Sequence, residues 1–155
     1  AGLMFELCQS YPEIEIEVIP GITAACSGGA VLGAPLTNDF AVVSLSNLLT
    51  PWETIEKRLY AAAQGDFCLC LYNPASKRRT DHLQRACDIL LTERSADTPC
   101  GLVRNIGREG ESFELTTLQE LRNTTVDMLT TVFVGNSVTK IVNGRLVTPR
   151  GYRDV

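Results

Sequence analysis

Two apolar runs, residues 40–45 and 67–72, end in the same abrupt way. The first gives way to Ser44-Leu45-Ser46-Asn47-Leu48-Leu49-Thr50-Pro51-Trp52, the second to Leu71-Tyr72-Asn73-Pro74-Ala75-Ser76-Lys77-Arg78-Arg79. Pro74 cannot donate to a ladder and favours an extended Asn73, so the second run must stop there. A helical pattern follows each exit. Strand, sharp exit and amphipathic helix in repetition point to an open α/β sheet, and ligands of such sheets sit beyond the carboxyl ends of the strands.

The remaining pattern extends this reading. Residues 13–19 alternate acid and apolar, which predicts a half-exposed strand closed by Pro20-Gly21. Residues 23–32 are rich in Ala and Gly and predict a helix that lets backbones approach closely. Residues 40–45, nearly all apolar, predict a strand buried on both faces. Thr50, Pro51 and Glu53 predict a capped helix start with Thr50 as N-cap, running to about residue 63. A strand over 67–72, a helix over 80–91 and a strand over 100–105 follow. A short segment over 112–115, a helix over 117–122 and a strand over 129–134 come next. Asn143-Gly144 between two apolar triplets is a type I′ hairpin signal. The expected fold is α/β, with a mixed, mostly parallel sheet, flanking helices and a C-terminal hairpin.

The chain has 155 residues, 45% hydrophobic and 21% charged, with a formal charge of −4. That composition supports a real core and gives no electrostatic footprint for nucleic acid or an anionic membrane, so neither partner is expected. No stretch nears the ~20 apolar residues of a membrane span, and the expected location is cytoplasmic. The opening Ala1-Gly2-Leu3-Met4-Phe5 enters a helical pattern with no cap, as a piece of a longer protein would. A boundary is expected at Gly33-Ala34-Pro35-Leu36: residues 1–35 as N-terminal lobe remnant and linker, residues 36–155 as the C-terminal α/β lobe.

Acid, base and nucleophile chemistry is sparse. The six cysteines lack ligand-pair spacing, which favours buried reduced thiols over a metal centre or disulfides. The single histidine, His82, beside Asp81, reads as a solvated helix-start residue. Nucleophile elbow, P-loop and G-x-G-x-x-G patterns are absent. Such poverty suits chemistry in which a cofactor supplies the electrophile and the protein positions two partners. Small residues at Gly21, Thr23, Ala24, Gly101 and Gly107 allow either ligand approach or packing. The basic residues Lys77, Arg78, Arg79, Arg104, Arg108 and Arg150 are either carboxylate binders or solvated charges.

The stretches Val18-Ile19-Pro20-Gly21-Ile22-Thr23-Ala24-Ala25, Gly33-Ala34-Pro35-Leu36, L-T-P-W, L-Y-N-P-A-S and Val147-Thr148-Pro149-Arg150-Gly151-Tyr152 together resemble the tetrapyrrole methyltransferases. The likeness spans essentially the whole chain and is greatest to the precorrin-3B C17-methyltransferase branch of cobalamin biosynthesis. It implies a two-lobed enzyme, usually a homodimer, with S-adenosylmethionine in the cleft between lobes and a small-molecule tetrapyrrole over it. The implied reaction is methyl transfer to ring carbon C17 with ring contraction. Implied cofactor contacts fall on Thr23, Ala24, Tyr72, Asn73, Ile106, Gly107, Thr148 and Pro149. Expected substrate contacts are Ser46, Lys77, Arg78, Arg79 and Arg104. Catalytic residues stay unassigned, and no protein-bound metal is expected. Asn47 stands where that branch is expected to carry Asp. Rival readings are a diphthine synthase, a ribosomal RNA methyltransferase, or a non-catalytic dimerisation and docking module.

Overall fold

The computed structural model describes residues 1–76 and 79–152. Its centre is a five-stranded sheet of β2 (Phe40–Ser44), β3 (Cys68–Tyr72), β6 (Thr130–Val134), β4 (Pro99–Arg104) and β5 (Ser112–Thr117), in that spatial order. A second sheet joins β1 (Gly33–Ala34) to β8 (Arg145–Val147) and β8 to β7 (Lys140–Val142). Helices α3 (Trp52–Gln64), α4 (His82–Leu90) and α5 (Leu118–Leu121) bring their apolar side chains into a cluster with one face of the main sheet. Helix α2 (Ala24–Leu32) and β8 cover part of the other face.

The sheet is mixed, as expected, but it is not mostly parallel. Only β2–β3 pairs parallel within it; β3–β6, β6–β4 and β4–β5 are antiparallel. Strands β2, β3 and β4 do run in one direction, as alternating strands and helices suggest. The late strand β6 inserts between β3 and β4 in the opposite sense, and local sequence carries no trace of that. The hairpin forms as read: Asn143 and Gly144 hold φ of 48° and 71°, the left-handed pair of a type I′ turn.

Side chains divide by strand period. Leu69 and Leu71 of β3, Leu102 of β4, and Val132 and Val134 of β6 face α3 and α4. Cys70, Val103 and Phe133 face α2. Helix α2 lies close because glycines meet it. A Cβ on Gly101 would stand 2.7 Å from Leu32, and one on Gly28 would stand 2.8 Å from Ile106. Gly101 is therefore a packing residue, whereas a Cβ on Gly107 or Gly21 would meet nothing within 4 Å. At the far edge of the sheet, Arg94 joins three carbonyls, donating to Gly135 at 2.6 Å, Phe67 at 2.5 Å and Ala62 at 3.3 Å.

Four expectations fail for physical reasons. Strand β2 is buried on one face only: Phe40 and Val42 are 40% and 46% exposed, because β2 is an edge strand that α2 does not cover. Residues 13–19 form no strand, since no neighbour offers them a ladder among the described residues. Helix α3 begins at Trp52 with Pro51 as N-cap and no side-chain cap, so Thr50 does not serve. His82 is buried, not solvated. Helix α1 (Gly2–Leu7) buries none of its residues, and Leu3, Phe5 and Leu7 point to solvent.

The thiols are all reduced; Cys68, Cys70, Cys87 and Cys100 are buried, while Cys26 is exposed and Cys8 half-buried. Burial pushes Cys70 and Cys87 up to about 12 and Cys100 higher still. Thiol titration of the native protein near pH 8 should therefore modify Cys26 and Cys8 first, and the other four only on unfolding. Because these folded-state values lie above the unfolded one, their contribution to stability is complete below about pH 9 and is lost as pH rises toward 12. Gly101→Ala should cost about 1–3 kcal/mol in urea unfolding by forcing Leu32 out of its seat.

Candidate functional site

Strands β2, β3 and β4 end along one edge of the sheet, and α2 begins there. Tyr72 closes β3, and its side chain lies on the α2 face. The hydroxyl accepts from the Ala25 N–H at 2.7 Å and pairs with the Thr23 hydroxyl at 2.5 Å. Because it accepts from the amide, it can donate to Thr23 Oγ1. One phenol thus joins the P-G-I-T-A-A turn to the L-Y-N-P exit, 49 residues away in sequence.

Asn73 is not extended: its φ of 54° lies in the left-handed region. Asparagine tolerates that conformation better than most residues. Its side-chain amide donates to Ser44 Oγ at 3.0 Å, and the Ser46 N–H donates to the same oxygen at 3.3 Å. The Leu45 N–H donates to the Tyr72 carbonyl at 2.8 Å. The two exits that stand out in the sequence are therefore hydrogen-bonded to each other. Strand β4 ends the same way, with Asn105 at φ 53°. Ile106 then packs into the α2-side cluster with Tyr72. Gly107 follows at φ 69°, exposed, its N–H donating to the Glu111 carboxylate at 2.7 Å.

Six of the eight expected cofactor residues, Thr23, Ala24, Tyr72, Asn73, Ile106 and Gly107, thus gather at this edge. Thr148 and Pro149 do not. Thr148 is fully buried near Cys68, at the opening residue of β3 and so at the opposite edge, about 13 Å along the strand from Tyr72. Its hydroxyl donates to Pro35 O at 2.8 Å and lies 2.8 Å from Thr139 Oγ1, while its carbonyl accepts from Thr37. Pro149, half-buried, follows it. These contacts seat the C-terminal strand against residues 34–37.

The expected substrate residues are spread along the edge. Ser46 is half-buried beside Ser44 and Asn73. Lys77 and Arg78 lie outside the described residues. Arg79 is half-buried and turned inward, with Nε donating to Ser76 Oγ at 3.0 Å. Arg104 already meets Glu114 at 3.4 Å and reaches the Thr125 carbonyl at 3.5 Å. A cleft of about 410 Å³ opens beside this turn, with Ser76, Thr80, Gln84 and Arg122 on its walls. Arg122 is held by Asp88, which raises its pKa.

An apolar groove of about 310 Å³ runs along α2 from Ala25 and Cys26 to Gly33, with Leu36 and Phe40 beside it. Apart from Cys26 and Thr37, its side chains are apolar, as the walls of a small-molecule site mostly are. Sequence reasoning missed Asn105, Glu111 and His82. The one available signal was that Asn105 follows its strand as Asn73 follows β3.

A model of the tetrapyrrole (corrin/porphyrin) methylases matches residues 1–122. A probable cobalt-factor III C(17)-methyltransferase of Salmonella typhimurium is 48% identical over 98% of this chain. The chain spans 64% of that relative's length, less than two thirds. The crystal structure of the methyltransferase CobJ superposes with a TM-score of 0.86 at 36% identity, over 96% of this chain and 64% of that one. A uroporphyrin-III C-methyltransferase from Thermus thermophilus, complexed with S-adenosyl homocysteine, shares the fold at a TM-score of 0.60 and 19% identity, over 86% of this chain and 57% of that one. With these matches and the P-G-I-T-A-A turn docked on the L-Y-N-P exit, the chain belongs to the tetrapyrrole (corrin/porphyrin) methylase family.

Proposed function

We propose that the chain is the C-terminal part of an S-adenosylmethionine-dependent methyltransferase of cobalamin biosynthesis, acting at C17 of a precorrin-3B-type ring. The observation that carries this reading is the 48% identity, over nearly the whole chain, to a relative named for cobalt-factor III. That name favours the cobalt-containing ring as substrate, the cobalt being the substrate's own. The L-T-P-W and T-P-R-G-Y stretches support the same branch.

In this reading the cofactor lies against Thr23, Ala24, Tyr72, Asn73, Ile106 and Gly107. The chemistry it supplies when bound is an electrophilic methyl on a sulfonium. The chain's share is to hold and orient. Ser46 and Arg104 meet the acidic periphery of the ring, with Lys77 and Arg78 assigned to it from their charge alone; Arg79, turned inward onto Ser76, must swing out to join them. Arg104 can do so only by sharing its guanidinium with Glu114. Thr148 and Pro149 contribute by fixing the C-terminal strand, and not by touching the cofactor. Residues 1–35 lead in from an N-terminal lobe that completes the cleft. The exposed apolar side chains of α1 and residues 14–22 belong against that lobe or a two-fold partner in a homodimer. The cytoplasm remains the proposed location; no described helix is long and apolar enough to cross a membrane.

Incubating the full-length protein with S-adenosylmethionine and cobalt-factor III should add 14 mass units to the ring. NMR should place the new methyl at C17; methylation at another carbon would refute the branch assignment. Tyr72→Phe leaves the Ala25 N–H and the Thr23 hydroxyl without their shared partner. Calorimetry should show S-adenosylmethionine binding weakened about tenfold, the worth of one good hydrogen bond. Unchanged affinity would remove Tyr72 from the proposed site.

A further inference from the structure

The single histidine is not used by the site as described, yet it touches it. His82 is 4% exposed, and its Nδ1 stands 2.7 Å from the Leu45 carbonyl. A carbonyl can only accept, so Nδ1 carries the proton. The ring packs on Trp52, centroids 4.8 Å apart. Trp52 in turn donates to Glu56 at 2.5 Å and lies under the Arg85 guanidinium, which pairs with Glu56 at 3.7 Å.

Leu45 is therefore held from both sides, its N–H by Tyr72 O and its carbonyl by His82. Residues 46–50 leave the sheet from this clamp and return at Pro51 and Trp52, where His82 again forms the contact. Between these anchors Leu48 and Leu49 are 83% and 93% exposed. Two consecutive leucines at a loop tip are costly in water, and both ends of the loop are fixed by one imidazole. The loop starts at Ser46, on the same edge as Tyr72 and Asn73.

We propose that His82 is a positioning residue: it fixes residues 46–50 so that Leu48 and Leu49 form an apolar wall against the flat face of the ring substrate. The substrate half of this statement rests on the proposed function; the loop half stands on the hydrogen bonds alone. A tetrapyrrole offers an apolar conjugated face inside an acidic rim. The wall supplies a partner for that face, while the cofactor residues lie on the α2 side of the same edge.

The test compares His82→Asn with His82→Gln in the full-length protein. Asparagine places an amide N–H near the position of Nδ1; glutamine places its own near Nε2. By mass spectrometry of amide exchange without ligand, His82→Gln should speed exchange of the Leu45 and Ser46 amides, the two hydrogen-bonded ones at this exit, about tenfold or more, with His82→Asn near wild type. With ligands, His82→Gln should raise KM for the tetrapyrrole about five- to twentyfold and leave S-adenosylmethionine affinity within about twofold. Unchanged exchange in His82→Gln would overturn the loop assignment. Faster exchange with unchanged tetrapyrrole KM would overturn the wall. Equal damage in both variants, tracking a fall in Tm, would reduce His82 to packing. The exchange readout holds whether or not the protein methylates a tetrapyrrole, so failure of the proposed function is separately visible.

Discussion

The site depends on how closely α2 approaches the main sheet. Gly28 and Gly101 remove the side chains that would hold helix and sheet apart, and Leu32, Ile106 and Phe133 fill the contact. That approach brings the N-terminal turn of α2 within reach of the Tyr72 hydroxyl. A helix one methyl group further out would leave Tyr72 as a free phenol at a strand end. The proposed cofactor residues of the P-G-I-T-A-A turn and of the β3 exit would then not share one edge.

A second constraint acts at the same edge. Asn73, Asn105 and Gly107 hold positive φ where chains leave β3 and β4. Such conformations are uncommon for residues other than glycine and persist where surrounding hydrogen bonds over-determine them. Here Ser44, Gly110 and Glu111 supply those bonds. Together with the clamp on Leu45 they leave the backbone at the strand exits little freedom, which suits the proposed role of orienting two reactants.

Elements fixed by local chemistry were legible in the sequence. The type I′ hairpin at Asn143-Gly144, the buried strand ending at Tyr72 and the amphipathic α4 follow from turn residues and periodicity alone. Features that depend on distant neighbours were not. Nothing local says that β6 will separate β3 from β4, that α2 will stop short of β2, or that residues 13–19 will find no partner strand. His82 looked solvated because its acceptor, the Leu45 carbonyl, lies 37 residues upstream. At the site, the strand exits declared themselves through their abrupt composition change. The resemblance put Tyr72 and Thr23 at one expected cofactor site, and their direct hydrogen bond came into view only in the structure. Thr148 shows the reverse case: its motif suggests a ligand contact, while the structure buries it among Pro35, Thr139 and Cys68, away from Tyr72.

The most direct measurement is a crystal structure of the full-length protein with S-adenosylhomocysteine bound. The present account predicts the ligand at the carboxyl edge of the sheet, in contact with Thr23, Tyr72 and the Ile106–Gly107 turn, and clear of Thr148. Density for the ligand at the Thr148–Pro149 edge, with the Tyr72 hydroxyl still occupied only by Thr23 and Ala25, would contradict it.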